Sequence, residues 1–177
     1  PPQIAGLMCS AIISDTLRFR SPTCTPLDKK AAPELGAIAG IDMQAHAKAM
    51  FTAGSNLAVK TEKDIFYQDF KKFTAGDVAY CVCQISSMDG EELRSIIPKL
   101  SAYMEKARED NHVDMVFFML TDILEETTDL ICVGDHAYAT VAEEGEPLAG
   151  YDKCVHLSGV VSRKKQVVPM LMKALAE

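Results

Sequence analysis

The chain has no apolar run long enough to cross a membrane, no internal repeat and no low-complexity segment. A spanning helix needs about 20 apolar residues, so we expect no membrane-spanning segment. A basic excess is also missing, because 18 lysines and arginines face 25 aspartates and glutamates and leave a net charge of -7. Proteins that bind nucleic acids or membrane surfaces usually carry positive charge to meet phosphate groups. We therefore expect neither partner, and any anion-binding site must be local.

Cysteine pairs of the CxxC type are absent, and no secretory leader precedes the six cysteines. Most of them lie in apolar stretches, and disulfide frameworks belong to oxidising compartments. The pattern therefore predicts reduced thiols in a cytoplasmic protein. The cysteines are Cys9, Cys24, Cys81, Cys83, Cys132 and Cys154.

An initiator methionine is lacking too, since the chain opens Pro1-Pro2-Gln3 and runs directly into an apolar segment. We interpret this opening as the sign of a fragment of a larger protein. A length of 177 residues suffices for one domain, or for one domain with a piece of another. Hydrophobic residues make up 48% of the chain and charged residues 24%, as is typical of folded globular proteins.

Helical patterns fill the first half of the chain. The first predicts a buried helix from Ile4 that ends near Asp15. Prolines and hydroxyl residues between Arg18 and Pro26 then predict an irregular linker and a domain boundary. Two helices separated by Gly40 follow at 27–39 and 42–53, and a third begins in a capping box. The predicted packed face of the first helix consists of Leu7, Met8, Ala11, Ile12 and Leu17. Thr25 is the predicted cap of the helix at 27–39, and Thr61 with Asp64 forms the predicted capping box of the helix after 42–53.

Strand patterns alternate with helices in the second half, which predicts an α/β layer structure. Asp89 with Glu92 should begin a helix toward Asn111 that Pro98 interrupts. The run 113–120 is apolar throughout and therefore predicts a strand covered on both faces. Further strands are predicted at 77–85, 130–133 and 154–157, and a last helix at 162–176.

Three cations, Arg163, Lys164 and Lys165, lie at the start of the last predicted helix. The positive end of a helix dipole disfavours cations. A phosphate-like group bound among backbone N-H groups and these side chains would explain them. A solvated basic patch is the alternative.

Other charged residues give weaker signals. Asp15 lies at the negative end of a helix, where a metal ion could offset its charge, although solvent exposure is the common alternative. Lys71 and Lys72 are interpretable as edge-strand lysines, and Thr121-Asp122 follows a buried strand, where sites gather in α/β folds. The remaining groups fit structural roles: Cys81 and Cys83 as core thiols, Glu125, Glu126 and Asp129 as a solvated turn, and His46, His112, His136 and His156 as surface or cap residues.

Several segments together resemble family II inorganic pyrophosphatases of the DHH phosphoesterase superfamily, over nearly the whole chain. The resemblance implies a metal-binding role for Asp15 and phosphate contacts for Arg163 and Lys164. It implies a further substrate lysine before the first strand, at Lys71 or alternatively Lys72. The matching segments are Ala11-Ile12-Ile13-Ser14-Asp15-Thr16-Leu17, Ser21-Pro22-Thr23-Cys24-Thr25, Thr121-Asp122-Ile123-Leu124 and the most specific one, Gly159-Val160-Val161-Ser162-Arg163-Lys164-Lys165-Gln166-Val167-Val168-Pro169.

The family resemblance implies an α/β fold with a mixed sheet flanked by helices, in the DHH-associated C-terminal domain. Residues 1–20 would end the DHH catalytic domain, 21–26 would form a linker and hinge, and 27–177 would form the substrate-binding domain. The implied reaction of the complete, homodimeric enzyme is hydrolysis of pyrophosphate to two phosphates with two Mn²⁺ ions, or Mg²⁺ or Co²⁺. The His-x-Asp-x-Asp and Asp-His-His segments of the superfamily are absent. We therefore expect this chain to be inactive without the missing DHH domain.

Two other functions stay open at this point. An exopolyphosphatase-like phosphohydrolase of the same superfamily would share the basic C-terminal domain and differ in its preference for polyphosphate. A stand-alone phosphate-binding module would need no metal ion.

Overall fold

A computed structural model of the chain describes residues 1–176, apart from the side chain of Ser55. The chain forms two compact units, Pro1–Gly54 and Ser55–Glu177. The predicted linker at 21–26 lies inside the first unit, and its assignment as a domain boundary stays a prediction. No helix in the described part of the chain is long and apolar enough to span a bilayer.

Three helices make up the first unit, as the sequence predicts. The capping box at the start of the second helix is present: the Thr25 hydroxyl accepts from the Asp28 N-H, and the Asp28 carboxylate accepts from the Thr25 N-H. Gly40 ends that helix with a φ of 70°, a left-handed conformation that glycine adopts without steric cost. The helices are α1 (Pro2–Asp15), α2 (Pro26–Ala39) and α3 (Met43–Ser55).

The predicted packed face of α1 is wrong for Leu7, Met8 and Ala11, whereas Ile12 is half-buried against the core of this unit. Leu7 and Met8 are 68% and 52% exposed, whereas Ala5, Cys9 and Ile13 are buried. Residues four apart share a helix face, so Ala5, Cys9 and Ile13 form the buried face, and the small side chains of Ala5 and Cys9 allow α2 to approach closely. The core of this unit consists of Cys9, Ile13, Ala32 and Ala47.

The segment after α1 is irregular, as predicted, and it is strained. Leu17, Arg18 and Phe19 have φ values of 47°, 55° and 70°, a left-handed conformation that costs side-chain-bearing residues roughly 1 kcal/mol each. Thr16 offsets part of this cost. Its hydroxyl accepts from the Phe19 N-H, and its carbonyl accepts from the Ser21 N-H.

The second unit contains a six-stranded mixed sheet flanked by helices, which confirms the predicted fold class. The strand order is β1-β2-β3-β4-β6-β5; β2 and β3 are parallel, and every other pair is antiparallel. The strands are β1 (Phe70–Ala75), β2 (Val78–Ser87), β3 (Met115–Asp122), β4 (Thr127–Val133), β5 (Glu146–Pro147) and β6 (Cys154–Ser158); the helices are α4 (Glu62–Tyr67), α5 (Gly90–Ser95), α6 (Ile97–Asp110), α7 (Ala137–Val141) and α8 (Val168–Ala174), with a 3-10 turn at Leu57–Val59.

The connection between the parallel strands β2 and β3 follows the predicted pattern. Asp89 caps α5 by accepting from the N-H groups of Glu91 and Glu92. Pro98 lies in the first turn of α6, where its missing N-H costs no helical hydrogen bond. The predicted interruption at Pro98 is therefore confirmed as a break between two helices.

The two faces of the sheet carry separate cores, which confirms that β3 is covered on both sides. The α6 face, packed by α4, α5 and α6, includes Cys81, Cys83 and Phe118. The α8 face, packed by α7 and α8, includes Val82 and Phe117. This alternation follows from the two-residue period of a strand.

The cysteines are all free thiols, and five of them are buried, with Cys24 half-buried. Cys81 and Cys83 lie in one core, as predicted. Burial raises the pKa of the Cys83 thiol well above its ordinary value, and it raises the pKa of Cys154 to about 12. Such thiols stay protonated and unreactive near neutral pH.

Candidate functional site

The three cations of the last helix lie on a wide turn. A π-helical turn spans Arg163–Val167 and continues into α8, where the sequence predicted one regular helix from 162 to 176. The Ser162 carbonyl accepts from the N-H groups of both Gln166 and Val167. Pro169 explains the wide turn, because it has no N-H for the carbonyl four residues earlier and its ring would clash with that carbonyl.

Arg163 is 8% exposed, and its guanidinium is anchored to the edge of the sheet. Its Nη1 donates to the carbonyls of Asp69 (2.7 Å) and Val82 (3.2 Å). Its Nη2 donates to Asp69 Oδ1 at 2.8 Å. These bonds use three of the five N-H groups of a guanidinium. Among the described residues, the N-H of Nε and one N-H of Nη2 have no acceptor, so both can donate to a ligand.

Lys71 and Lys72 lie in β1, at the edge of the sheet, and they point to opposite faces. Lys71 pairs with Val82, which belongs to the α8 face, whereas Lys72 pairs with Cys81, which belongs to the α6 face. Side chains of directly paired residues lie on the same face of a sheet. Lys72 donates from Nζ to the carbonyl of Asn111 at 2.6 Å. Of the two lysines, only Lys71 therefore lies on the α8 face, against which the π turn packs through Val167.

The site that these elements form is a basic edge on the α8 face. Arg163 and Lys164 are neighbours in the π turn, with Lys164 exposed. Asp69 lies two residues before Lys71, and its side chain is 44% exposed while it pairs with Arg163. Lys71, Arg163 and Lys164 bring three positive charges against the one carboxylate of Asp69, on a chain of net charge -7. This arrangement can bind a compact, multiply charged anion.

Two details of this site were not predicted. The family resemblance places the substrate lysine before the first strand, and Lys71 is the second residue of β1. No local sequence pattern indicated a role for Asp69, because its ion pair with Arg163 joins residues 94 positions apart. The roles of Lys71, Arg163 and Lys164 in binding stay predictions.

Asp15 is the last residue of α1 and is exposed. Its carbonyl accepts from the Thr23 hydroxyl at 2.9 Å. A carboxylate oxygen is a suitable ligand for Mn²⁺. Within the part of the chain that the structure describes, no three His, Cys, Asp or Glu side chains gather in a group able to hold a metal ion. The metal-binding role of Asp15 stays a prediction.

Asp129 is not part of a solvated turn, which corrects the prediction. It is 6% exposed, and its carboxylate accepts from Arg94 Nε at 2.8 Å and pairs with His156 Nδ1. The hydrogen bond to Asp129 raises the pKa of Arg94. Glu125 and Glu126 are exposed as predicted. Three residues far apart in the sequence form this group, so local patterns could not predict it.

The Thr121-Asp122 segment has a structural role at the end of β3. The Asp122 carboxylate accepts from the N-H groups of Leu124 and Glu125, at 2.8 and 3.1 Å, as aspartates commonly do in turns. Thr121 is fully buried beneath the approach to the π turn.

Known proteins are similar to this chain over nearly its whole length. The manganese-dependent inorganic pyrophosphatase of Bacillus subtilis is 39% identical over 175 residues, which are 99% of this chain and 56% of that protein. The cobalt-dependent inorganic pyrophosphatase of Clostridium perfringens is 42% identical over 173 residues, which are 98% of this chain and 31% of that protein. The crystal structure of a Methanococcus jannaschii protein assigned as a family II inorganic pyrophosphatase matches 100% of this chain and 57% of its own, with a TM-score of 0.85 and 34% identity.

The extent of these matches defines what they show. The chain spans about half the length of the curated relatives it matches, or less. The model of the DHHA2 domain matches residues 48–174, a range that contains Lys71, Arg163 and Lys164. This match covers more than half of the residues of the chain. The chain therefore belongs to the DHHA2 domain family.

Proposed function

We propose that the chain is the pyrophosphate-binding part of a metal-dependent inorganic pyrophosphatase. The observation that carries this proposal is the sheet register, in which Lys71 pairs with Val82, the residue whose carbonyl accepts from Arg163, the neighbour of Lys164. The names of the relatives support the substrate and the reaction, hydrolysis of pyrophosphate to two phosphates. The complete protein would be a cytoplasmic homodimer.

The residues of this chain would bind and orient the substrate. Pyrophosphate carries several negative charges on a short frame, so two lysines and an arginine can each contact a different oxygen. Arg163 would offer the two N-H groups that its bonds to Asp69 and Val82 leave over. The same cations would offset the charge that develops on the leaving phosphate, a stabilisation that grows toward the transition state.

Mn²⁺, with Co²⁺ or Mg²⁺ as alternatives, would be held mainly by residues of a DHH domain outside this chain. Two bound metal ions would polarise a phosphoryl oxygen and lower the pKa of the attacking water. Asp15 would contribute one carboxylate ligand. One candidate ligand does not make a metal centre, so this chain alone is expected to bind substrate without hydrolysing it.

Substitution of Lys71 or Lys164 by methionine is expected to weaken pyrophosphate binding about 10-fold each, since a charge-assisted hydrogen bond contributes about 1.5 kcal/mol or more. The dissociation constant is measured by isothermal titration calorimetry on the 177-residue chain. Lys72→Met is the matched control, because Lys72 follows Lys71 in the same strand and faces the other side of the sheet. Its dissociation constant should stay close to that of the unsubstituted chain.

Equal losses in the Lys71 and Lys72 variants would contradict the proposed site, because they would indicate general attraction by surface charge. Titration with tripolyphosphate tests the exopolyphosphatase-like alternative. A clear preference for tripolyphosphate over pyrophosphate would favour that alternative.

Phosphate release from pyrophosphate by the chain alone is expected to stay at background with saturating Mn²⁺. The physical reason is that the described residues provide no group of three metal ligands. Release is measured by a colorimetric phosphate assay at high protein concentration, with Arg163→Met as the control for contaminating enzymes. Turnover that disappears in the Arg163 variant would contradict the proposed division of the active site.

A further inference from the structure

Three polar side chains lie beneath the approach to the π turn, in an otherwise apolar layer. Thr121 and Thr128 are both 0% exposed, and Gln84 is half-buried beside them. They come from β3, β4 and β2, which are neighbours in the sheet. We call Gln84, Thr121 and Thr128 the polar bracket. Burying such groups is costly unless each finds a partner, so their partners indicate what they do.

The polar bracket holds the carbonyl side of the segment before the π turn. Thr128 Oγ1 donates to the carbonyl of Val160 at 2.7 Å. Gln84 Nε2 donates to the carbonyl of Val161 at 3.1 Å and to Thr121 Oγ1 at 3.0 Å. The hydroxyls of Thr121 and Thr128 lie 2.9 Å apart and share a hydrogen bond. Two consecutive carbonyls are therefore fixed from the sheet.

Gln166 holds the amide side of the same segment. Its Oε1 accepts from the N-H groups of Val161 and Ser162, at 3.0 and 2.9 Å. Its Nε2 donates to the carbonyl of Gly159 at 2.8 Å. The backbone from Gly159 to Ser162 is thus held by hydrogen bonds from the sheet on one side and from Gln166 of the π turn on the other. Arg163 and Lys164 follow directly.

We propose that the polar bracket positions the Val160–Ser162 backbone so that Arg163 and Lys164 are presented to the bound anion in a fixed place. This inference rests on the proposed function for its effect on binding. Gln84, Thr121 and Thr128 are positioning residues, because their contacts are with the protein and not with the anion. Fixing this backbone before binding saves the free energy of ordering it when the ligand arrives.

The test compares Thr128→Val, which removes the hydroxyl and keeps the shape, with Thr128→Ser, which keeps the hydroxyl. Thr128→Val should speed hydrogen exchange of the Val161 and Ser162 amides about 5-fold in the chain without ligand, and weaken pyrophosphate binding about 5-fold, since one net hydrogen bond contributes about 1 kcal/mol. Thr128→Ser should leave the exchange rates and the dissociation constant close to those of the unsubstituted chain. Exchange is measured by NMR, and binding by calorimetry.

Ile131→Val is the control for general loss of stability, because it removes one buried methylene from the α6 face of the same strand. It should lower the melting temperature without changing exchange at Val161 and Ser162. Gln84→Met replaces Thr128→Val if the latter does not fold. It removes both donations from Gln84 Nε2 and should have the same two effects.

Unchanged exchange at Val161 and Ser162 in the bracket variants would overturn the inference, as would faster exchange with unchanged binding. Faster exchange and weaker binding in Thr128→Ser, equal to those in Thr128→Val, would overturn it too. Absence of pyrophosphate binding by the unsubstituted chain would count against the proposed function instead. The exchange rates would then decide alone whether the bracket fixes this backbone.

Discussion

Replacement of Arg163 by methionine should weaken pyrophosphate binding by about 100-fold and lower the free energy of unfolding by about 2 kcal/mol, since the side chain makes several charge-assisted hydrogen bonds. Its three bonds join the π turn to Asp69 and Val82 at the sheet edge. Their loss would leave the Asp69 carboxylate without its cation and would remove one donor from each of two carbonyls, those of Asp69 and Val82. Calorimetry gives the dissociation constant, and urea unfolding followed by circular dichroism gives the stability.

Asp69→Asn separates the two roles of Arg163. This variant removes the competing negative charge and keeps the Arg163 guanidinium, so it should lose stability while it binds pyrophosphate as tightly as the unsubstituted chain or more tightly. Arg163→Lys keeps the charge but not the planar pair of donors, and we expect intermediate affinity from it. If Asp69→Asn and Arg163→Met lost affinity equally, Arg163 would act only by holding the turn in place.

Local sequence patterns were sufficient for most of the fold, because caps and breaks depend on neighbouring residues. Thr25, Thr61 and Asp89 each begin a helix as predicted, and Pro98 divides one. The apolar run of β3 correctly indicated burial on both faces. The order of strands in the sheet was not predicted, since pairing joins segments that are distant along the chain.

The errors have a common physical cause, which is that tertiary contacts override local preference. On α1 the close approach of α2 favours the face with Cys9 over the face with Leu7. Asp129 was predicted in a solvated turn because Glu125 and Glu126 precede it. Its hydrogen bonds with Arg94 and His156 instead offset the free-energy cost of burying its carboxylate. Neither partner lies near it in sequence.

The candidate site was predicted in part from the residues themselves. The cations of the π turn gave a local signal, and the family resemblance added Lys71 with Lys72 as an alternative. The sheet register distinguishes the two lysines, since only one of them can point to the α8 face. Asp69 and the polar bracket needed the three-dimensional structure, because Asp69 bonds to the π turn, and Gln84 and Thr128 bond to the segment before it, across 32 or more residues.

Substitution of Gly134 by alanine is expected to destabilise the second unit by about 4 kcal/mol, which is large for a single methyl group. Gly134 follows β4 with a φ of 109°, and an added Cβ would lie 2.2 Å from the carbonyl oxygen of Asp114. That carbonyl precedes β3 and is part of the backbone, so a side-chain rotation cannot relieve the clash. The strands themselves would have to shift.

Gly76→Ala is the matched control for Gly134→Ala. Gly76 also has a positive φ, of 58°, but an added Cβ would meet no atom within 4 Å. It should therefore cost only about 1 kcal/mol, the strain of a left-handed alanine. Urea unfolding followed by circular dichroism measures both variants, and the difference between them reports the clash together with the extra strain of the larger φ at Gly134. Equal losses would mean that the ends of β3 and β4 have room for a methyl group, and that the close approach of Gly134 to Asp114 does not limit the packing of the sheet.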